Sequence, residues 1–399
     1  MEREVPDAGE RIEVRLHERI AEIPEATWDA LLEPDSSPFV EWGWLDALEG
    51  AGCVVPDRGW LPRHIGVYRN GELIAAAPAY VKGNSEGEFV FDHQWAGVAH
   101  RLGIEYYPKL ILAVPFTPAT GDRVLIKAGE DRPVLRAVVA DAARAIADQL
   151  DVSSAHVLFP REDEVRSFES RKWGARLGIQ FHWKNRGYAT YDDFLARFDS
   201  KRRHQLKRER RLVAEQGITI ETRRGEAFDE KTVALAYEYY LATVDKFVWG
   251  RRYLNRKFFE LVAERFAGKR DDLKNPQRCS VELVVASKNG KPVGGAFNVA
   301  KGKRLYGRYW GAGSEHPFLH FAVCFYHSID ECIARGFEVF EPGAGGEHKV
   351  RRGFDPTETH SAHFIRDPRL DRIIRDFLPR ERAHVERIVR GEIDEDDEG

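Results

Sequence analysis

Arg308-Tyr309-Trp310-Gly311-Ala312-Gly313 is the stretch on which the reading of this chain turns. It closes an apolar strand pattern and stands just before a long helical one, so it occupies a strand-to-helix turn. Glycines there carry no Cβ, and bare backbone can approach a ligand closely. Exposed N–H groups and the dipole of the following helix supply positive potential. Arg-x-x-Gly-x-Gly in this place has the chemistry to hold a pyrophosphate such as that of a coenzyme A-like donor.

Outward from that turn the chain repeats itself. Residues 67–83 (VYRNGELIAAAPAYVKG) lie without gaps on residues 286–302 (ASKNGKPVGGAFNVAKG). Asn70-Gly71 and Asn289-Gly290 are type I′ turn dipeptides between apolar runs, so both segments read as β-hairpins. Upstream of each lie a strand and two helices, at 11–18, 24–33 and 40–50 and again at 217–223, 229–248 and 255–267. Downstream come a strand, a long helix (131–150; 318–335) and a further strand (154–159; 337–341). The order β-α-α-β-β-β-α-β, written twice, predicts two copies of one α/β module. The expected division is 1–185, 186–378 and a C-terminal helix end with an acidic tail at 379–399.

Composition bounds the rest. The 399 residues are 43% hydrophobic and 32% charged, with a net charge of -4. That is a globular composition and argues against binding nucleic acid over the whole surface, while leaving room for a local basic patch. No apolar run is long enough for a membrane span, and the N-terminus reads as no signal peptide. Cys53, Cys279, Cys324 and Cys332 form no CxxC pair, so reduced thiols and a cytoplasmic location are expected. His360 and His363 lack HExxH or CxxC spacing to any partner, and no metal is expected. The segment from Lys201 to Arg211 (KRRHQLKRERR) reads as a strongly basic helix.

A module of this order with Arg-x-x-Gly-x-Gly at the end of its fourth strand resembles the GNAT acyltransferases. Two in tandem resemble Fem-type transferases. Longer motifs carry the likeness further: Tyr106-Tyr107-Pro108-Lys109-Leu110, Val114-Pro115-Phe116-Thr117-Pro118, His182-Trp183-Lys184-Asn185, and Glu341-Pro342-Gly343-Ala344-Gly345-Gly346-Glu347-His348-Lys349. Together they resemble the bacterial FemAB-like predicted N-acyltransferases, labelled as peptidoglycan biosynthesis or recognition proteins, over about residues 35 to 370. The resemblance implies tandem GNAT-like modules, each a mixed, mostly antiparallel twisted sheet flanked by helices. It also implies an acyltransferase that uses a coenzyme A or acyl-carrier thioester. One departure stands out: Leu319-His320-Phe321-Ala322 has alanine where the family tends to carry glutamate.

Acyl transfer to an amine needs a base, a donor that polarises the carbonyl and a group that protonates the leaving thiolate. Gly-Ala-Gly-x-Glu-His occurs twice, at Gly311–His316 and Gly343–His348, each after a predicted strand. In the GNAT fold those two strands splay to admit the donor. Glu347 and His348 are therefore the expected bases, with Tyr326 the expected acid. The expected donor site is Arg308, Tyr309, Trp310, Gly311, Gly313, His320, Gly345, Gly346, Lys349 and Arg352. The first half has Pro115-Phe116-Thr117-Pro118 where the second has its phosphate turn, and prolines suit a stiff wall. Tyr107, Lys109, Thr117, Arg123, His182 and Trp183 are accordingly expected to hold the acceptor, a small-molecule or cell-wall-precursor amine. Two other readings compete. An aminoacyl-tRNA donor, or an acyl carrier protein, would dock on the basic segment; alternatively the chain binds a cell-wall fragment or partner without catalysis.

Overall fold

The computed structural model describes residues 11–246, 252–268 and 278–392. The first half contributes strands β1 (Ile12–His17), β2 (Trp60–Pro62), β3 (His64–Arg69), β4 (Glu72–Ala77), β5 (Ala79–Lys82), β6 (Lys109–Leu112), β7 (Leu125–Ile126), β8 (Ser154–Leu158) and β9 (Gly174–Lys184). The second contributes β10 (Ile218–Arg224), β11 (Ser280–Lys288), β12 (Lys291–Lys301), β13 (Arg304–Ala312), β14 (Val339–Glu341) and β15 (Asp355–Ile365). Both Asn-Gly turns form as expected. Asn70 and Gly71 have φ of 51° and 88°, Asn289 and Gly290 of 51° and 73°, the positive pair a type I′ turn demands.

Local chemistry places the helices. Asp131 caps Arg132–Gln149, Asp199 caps Ser200–Glu215, Asp229 caps Glu230–Val244 and Asn255 caps Arg256–Phe266, each side chain accepting a first-turn N–H. Leu319–Phe321 runs through a π turn, Ala322–His327, into Ser328–Arg335. The helix Pro368–Val389 continues across residues 378 and 379.

Eleven strands form one continuous sheet, β10-β11-β12-β13-β14-β9-β15-β8-β6-β5-β2, beside a smaller sheet β1-β3-β4-β7. Pro78 separates β4 from β5 and lets the chain leave one sheet for the other. The matching position in β12 is Phe297, and that strand runs unbroken. The two halves exchange their last strands. β9 pairs with β14, β15 pairs with β8, and β9 and β15 run antiparallel beside each other between them. The boundary at 185/186 therefore divides the chain without dividing the sheet. Aromatic packing joins the halves as well: Trp44 meets Phe258 edge-on at 5.3 Å, and Phe39 meets Tyr306 at 5.1 Å.

Candidate active site

β13 and β14 are parallel and paired at Arg304–Val339, Leu305–Phe340 and Tyr306–Glu341, and there the pairing ends. Pro342 has no N–H to continue the ladder, while β13 runs on to Ala312. On its other side β13 bulges: Phe297 faces Tyr309 and Asn298 faces Gly307, leaving Arg308 as the extra residue. Such a bulge re-aims one side chain. Between the splayed strands opens a cavity of about 310 Å³. Its wall brings together Arg308, Tyr309, Trp310, His320, Gly345, Gly346, His348 and Lys349, along with Asn298 and Cys324.

The loop from Pro342 to Gly346 lines the cavity, with Gly343, Gly345 and Gly346 at φ of 92°, 73° and 98°. Only glycine adopts such angles without strain. Lys349, buried, staples that loop by donating to the carbonyls of Gly343 at 2.7 Å and Ala344 at 3.3 Å. Its charge is thus used within the protein. His320 stands 5.2 Å from Trp310 and 6.0 Å from His348, ring to ring. Burial, then the nearby His348, Arg352 and Lys349, lower His320 to about 4. Burial likewise lowers His348, followed by Lys349 and Arg352. A neutral imidazole of this kind can accept a proton.

Several expected site residues lie elsewhere. Gly311 faces the helix Glu230–Val244, where a Cβ would fall 1.9 Å from the Tyr239 carbonyl oxygen. The Gly313 N–H donates to the Val293 carbonyl. Neither glycine lines the cavity, because both are spent on packing and turn closure. Tyr326 is drawn away by Glu209, to which its hydroxyl donates, and Arg352 donates to both, at 2.9 Å and 3.0 Å. This buried triad ties the π turn to the basic helix; Tyr326 lines a separate cavity, and Arg352 also donates to the His348 carbonyl at 3.0 Å. Glu347 opens the turn Glu347–Arg352, and its side chain lies outside the described residues.

The expected acceptor residues scatter. Lys109 is 1% exposed and paired with Glu88 and Asp92. Arg123 is equally enclosed, its guanidinium donating to the carbonyls of Ala119, Gly121, Asp122 and Leu158. Both cations hold loops of the first half together. Tyr107 bonds Ser85 at 2.7 Å beside a separate cavity. Trp183 belongs to the core with Tyr188 and Phe194. Thr117 is buried, and His182 sits on β9 with Nε2 3.2 Å from Gln180 and 4.0 Å from Glu341. Glu341 and Asn298 were not singled out from sequence. The signal for Glu341 was its place directly before Pro342, where pairing must stop.

The profile of a protein family described as FemAB-like, peptidoglycan biosynthesis/recognition, matches residues 19–395. The chain belongs to the FemAB-like family. Among solved structures it resembles FemX, at 12% identity and a TM-score of 0.51, over 88% of this chain and 98% of that one. It also resembles L-PGS from Bacillus licheniformis, at 11% identity and a TM-score of 0.52, over 90% and 96%. At such identities the likeness is one of fold. Among the curated proteins no sequence matches that of this chain. No helix among the described residues is long and apolar enough to cross a membrane.

Proposed function

We propose that this FemAB-like protein moves an acyl group from a thioester donor, coenzyme A or an acyl carrier protein, to an amine by direct attack. The observation that carries the reading is the splay of β13 from β14 after Tyr306 and Glu341, with a cavity in the gap. Beyond Tyr306 one edge of β13 has no strand beside it, and an extended amide-bearing arm can lie there as a strand would. The acyl carbon would rest near the loop stapled by Lys349, within reach of His320 and His348 in their neutral forms. The peptidoglycan association of the family points to a cell-wall-precursor amine as acceptor. Titration calorimetry with coenzyme A tests the donor: binding that Trp310→Ala and Gly345→Val both weaken supports the cavity, and binding indifferent to both refutes it.

A second reading, with aminoacyl-tRNA as donor, is favoured by one feature. Lys201, His204, Arg208 and Arg211 are exposed along one face of the helix Ser200–Glu215. Lys201 and Arg208 have no ion-pair partner among the described residues, as befits phosphate contacts. If tRNA binds there, Lys201→Ala with Arg208→Ala should reduce the salt slope of tRNA binding by about 1.5–2. An unchanged slope would leave the thioester reading alone.

A further inference from the structure

Two charged residues at the splay, Glu341 and Arg308, keep hydrogen-bonding capacity that the donor reading does not use. Phe340 lines the donor cavity, so Glu341, next along β14, points to the opposite face of the sheet. Its carboxylate is 2% exposed; Oε1 accepts from Arg304 at 3.1 Å, and buried Oε2, with His182 Nε2 4.0 Å away, accepts no hydrogen bond from the described residues. Arg308 is the bulge residue of β13, with its guanidinium 4.3 Å from the ring of Phe39 and 5.3 Å from that of Tyr306. Its Nη1 donates to the Gly307 carbonyl at 2.8 Å. Its Nε and Nη2 are buried and have no acceptor among the described residues.

Those two nitrogens form one edge of the guanidinium, the fork that meets a carboxylate with two parallel bonds. Stacking on Phe39 and the bond from Nη1 hold the fork in place before any ligand arrives. Among the negative charges acting on Arg308, that of Glu341 acts most strongly, yet no ion pair within 4.0 Å joins them. Buried ionic groups with open hydrogen-bonding capacity are costly, and here a free acceptor and a free fork stand on adjacent strands without meeting.

We propose that Glu341 and Arg308 together bind the acceptor as an amine that also carries a carboxylate, an amino acid or peptide. The ammonium sits on Glu341 Oε2 and the carboxylate on Arg308 Nε and Nη2. This rests on the acyl-transfer reading above for its chemistry. Glu341 takes one ammonium proton, and the freed nitrogen pair forms a bond to the thioester carbonyl carbon. The C–S bond then breaks with its electron pair on sulfur. The second nitrogen proton passes to the thiolate, leaving an amide, a thiol and a protonated Glu341 that returns its proton to water. Arg308 also lines the donor cavity, so the acceptor amine meets the thioester in the gap between β13 and β14.

The experiment uses the full chain, with thermal unfolding and calorimetry against free amino acids and dipeptides. Each is compared with its carboxamide and with the matching acid that lacks the amine. Binding by at least one such zwitterion, at least tenfold tighter than both analogues and at least tenfold weaker in Arg308→Lys, is expected. Lysine keeps the charge and loses the fork, so this variant separates carboxylate recognition from general electrostatics. Glu341→Gln should lose the zwitterion while keeping coenzyme A affinity. If no zwitterion binds while coenzyme A does, if the carboxamide binds as well, or if Arg308→Lys binds unchanged, the proposal is overturned and the donor reading stands. Zwitterion binding that needs both residues, without any coenzyme A binding, would keep this site and refute coenzyme A as the donor instead.

Discussion

The imidazoles of His156 and His363 meet Nδ1 to Nδ1 at 2.7 Å, directly across the β8–β15 pairing that ties the end of the chain to its first half. Each Nε2 is engaged with a serine two residues back, Ser154 and Ser361, at 2.8 Å. One proton lies between the rings, so one Nδ1 donates and the other accepts. Protonating the acceptor would destroy the contact. Burial, then Lys109, lowers His156 to about 3, and burial, then His156, holds His363 well below its ordinary value.

Acid sensitivity follows from that pair. With folded-state values below the unfolded value of about 6.5, the unfolded chain binds more protons as pH falls from about 6.5 toward 3. The pair's contribution is complete above that window and is lost through it. Glu88 and Glu164, both raised by burial to about 7, act with the opposite sign, so the wild-type curve alone would mix the two. Urea midpoints measured from pH 7 to 4 should fall more steeply for the wild type than for the double variant His156→Gln/His363→Gln. Parallel curves would remove the histidines as the cause.

Gly311→Ala should destabilise the fold by about 1–3 kcal/mol or more, because the new methyl meets backbone of the helix Glu230–Val244 and not a movable side chain. At Gly313 a Cβ meets nothing within 4 Å, and Gly313→Ala should change stability by less than about 0.5 kcal/mol. Denaturant midpoints for the two variants check this. Equal effects would mean that Gly311 is not a packing glycine.

The Glu209–Tyr326–Arg352 triad separates structure from catalysis. Arg352→Met leaves the Glu209 carboxylate buried with a phenol as its only remaining partner from the triad, and should cost about 3–5 kcal/mol. Tyr326→Phe should cost about 1–3 kcal/mol. A proton donor to the leaving group would show the reverse: Tyr326→Phe of normal stability with kcat reduced. That result would return Tyr326 to the active site.

Lys349→Met removes two charge-assisted bonds to the carbonyls of Gly343 and Ala344. The loop lining the donor cavity should loosen, and donor KM should rise to the same degree at low and high salt. A direct lysine–phosphate contact would instead give a defect that shrinks as salt screens it. Kinetics of the variant at two ionic strengths distinguish them.

Much of this was legible in sequence. Both Asn-Gly hairpins and the helices rest on local rules of turn chemistry and periodicity, while the grouping of Trp310, His320, Gly345 and His348 at one strand end came from the family resemblance. Gly311 was misread because a glycine needed for close approach looks the same whether the approaching atom belongs to a phosphate or to Tyr239. Lys109 and Arg123 were misread because exposure is a property of surroundings. Nothing within a few residues of Lys109 announces that Glu88 and Asp92 will enclose it.

The sequence by itself determined the repeated element order and the turns, since those depend on residues within one helical turn or hairpin. Tertiary structure alone decided the exchange of β9 and β15 between halves, and the bulge that turns Arg308 onto Phe39. It also decided that Glu341 keeps one buried oxygen without a hydrogen bond from the described residues. The physical reason is reach. Phe39 and Arg308 are far apart along the chain, and a contact of that kind exists only once the sheet has closed around both.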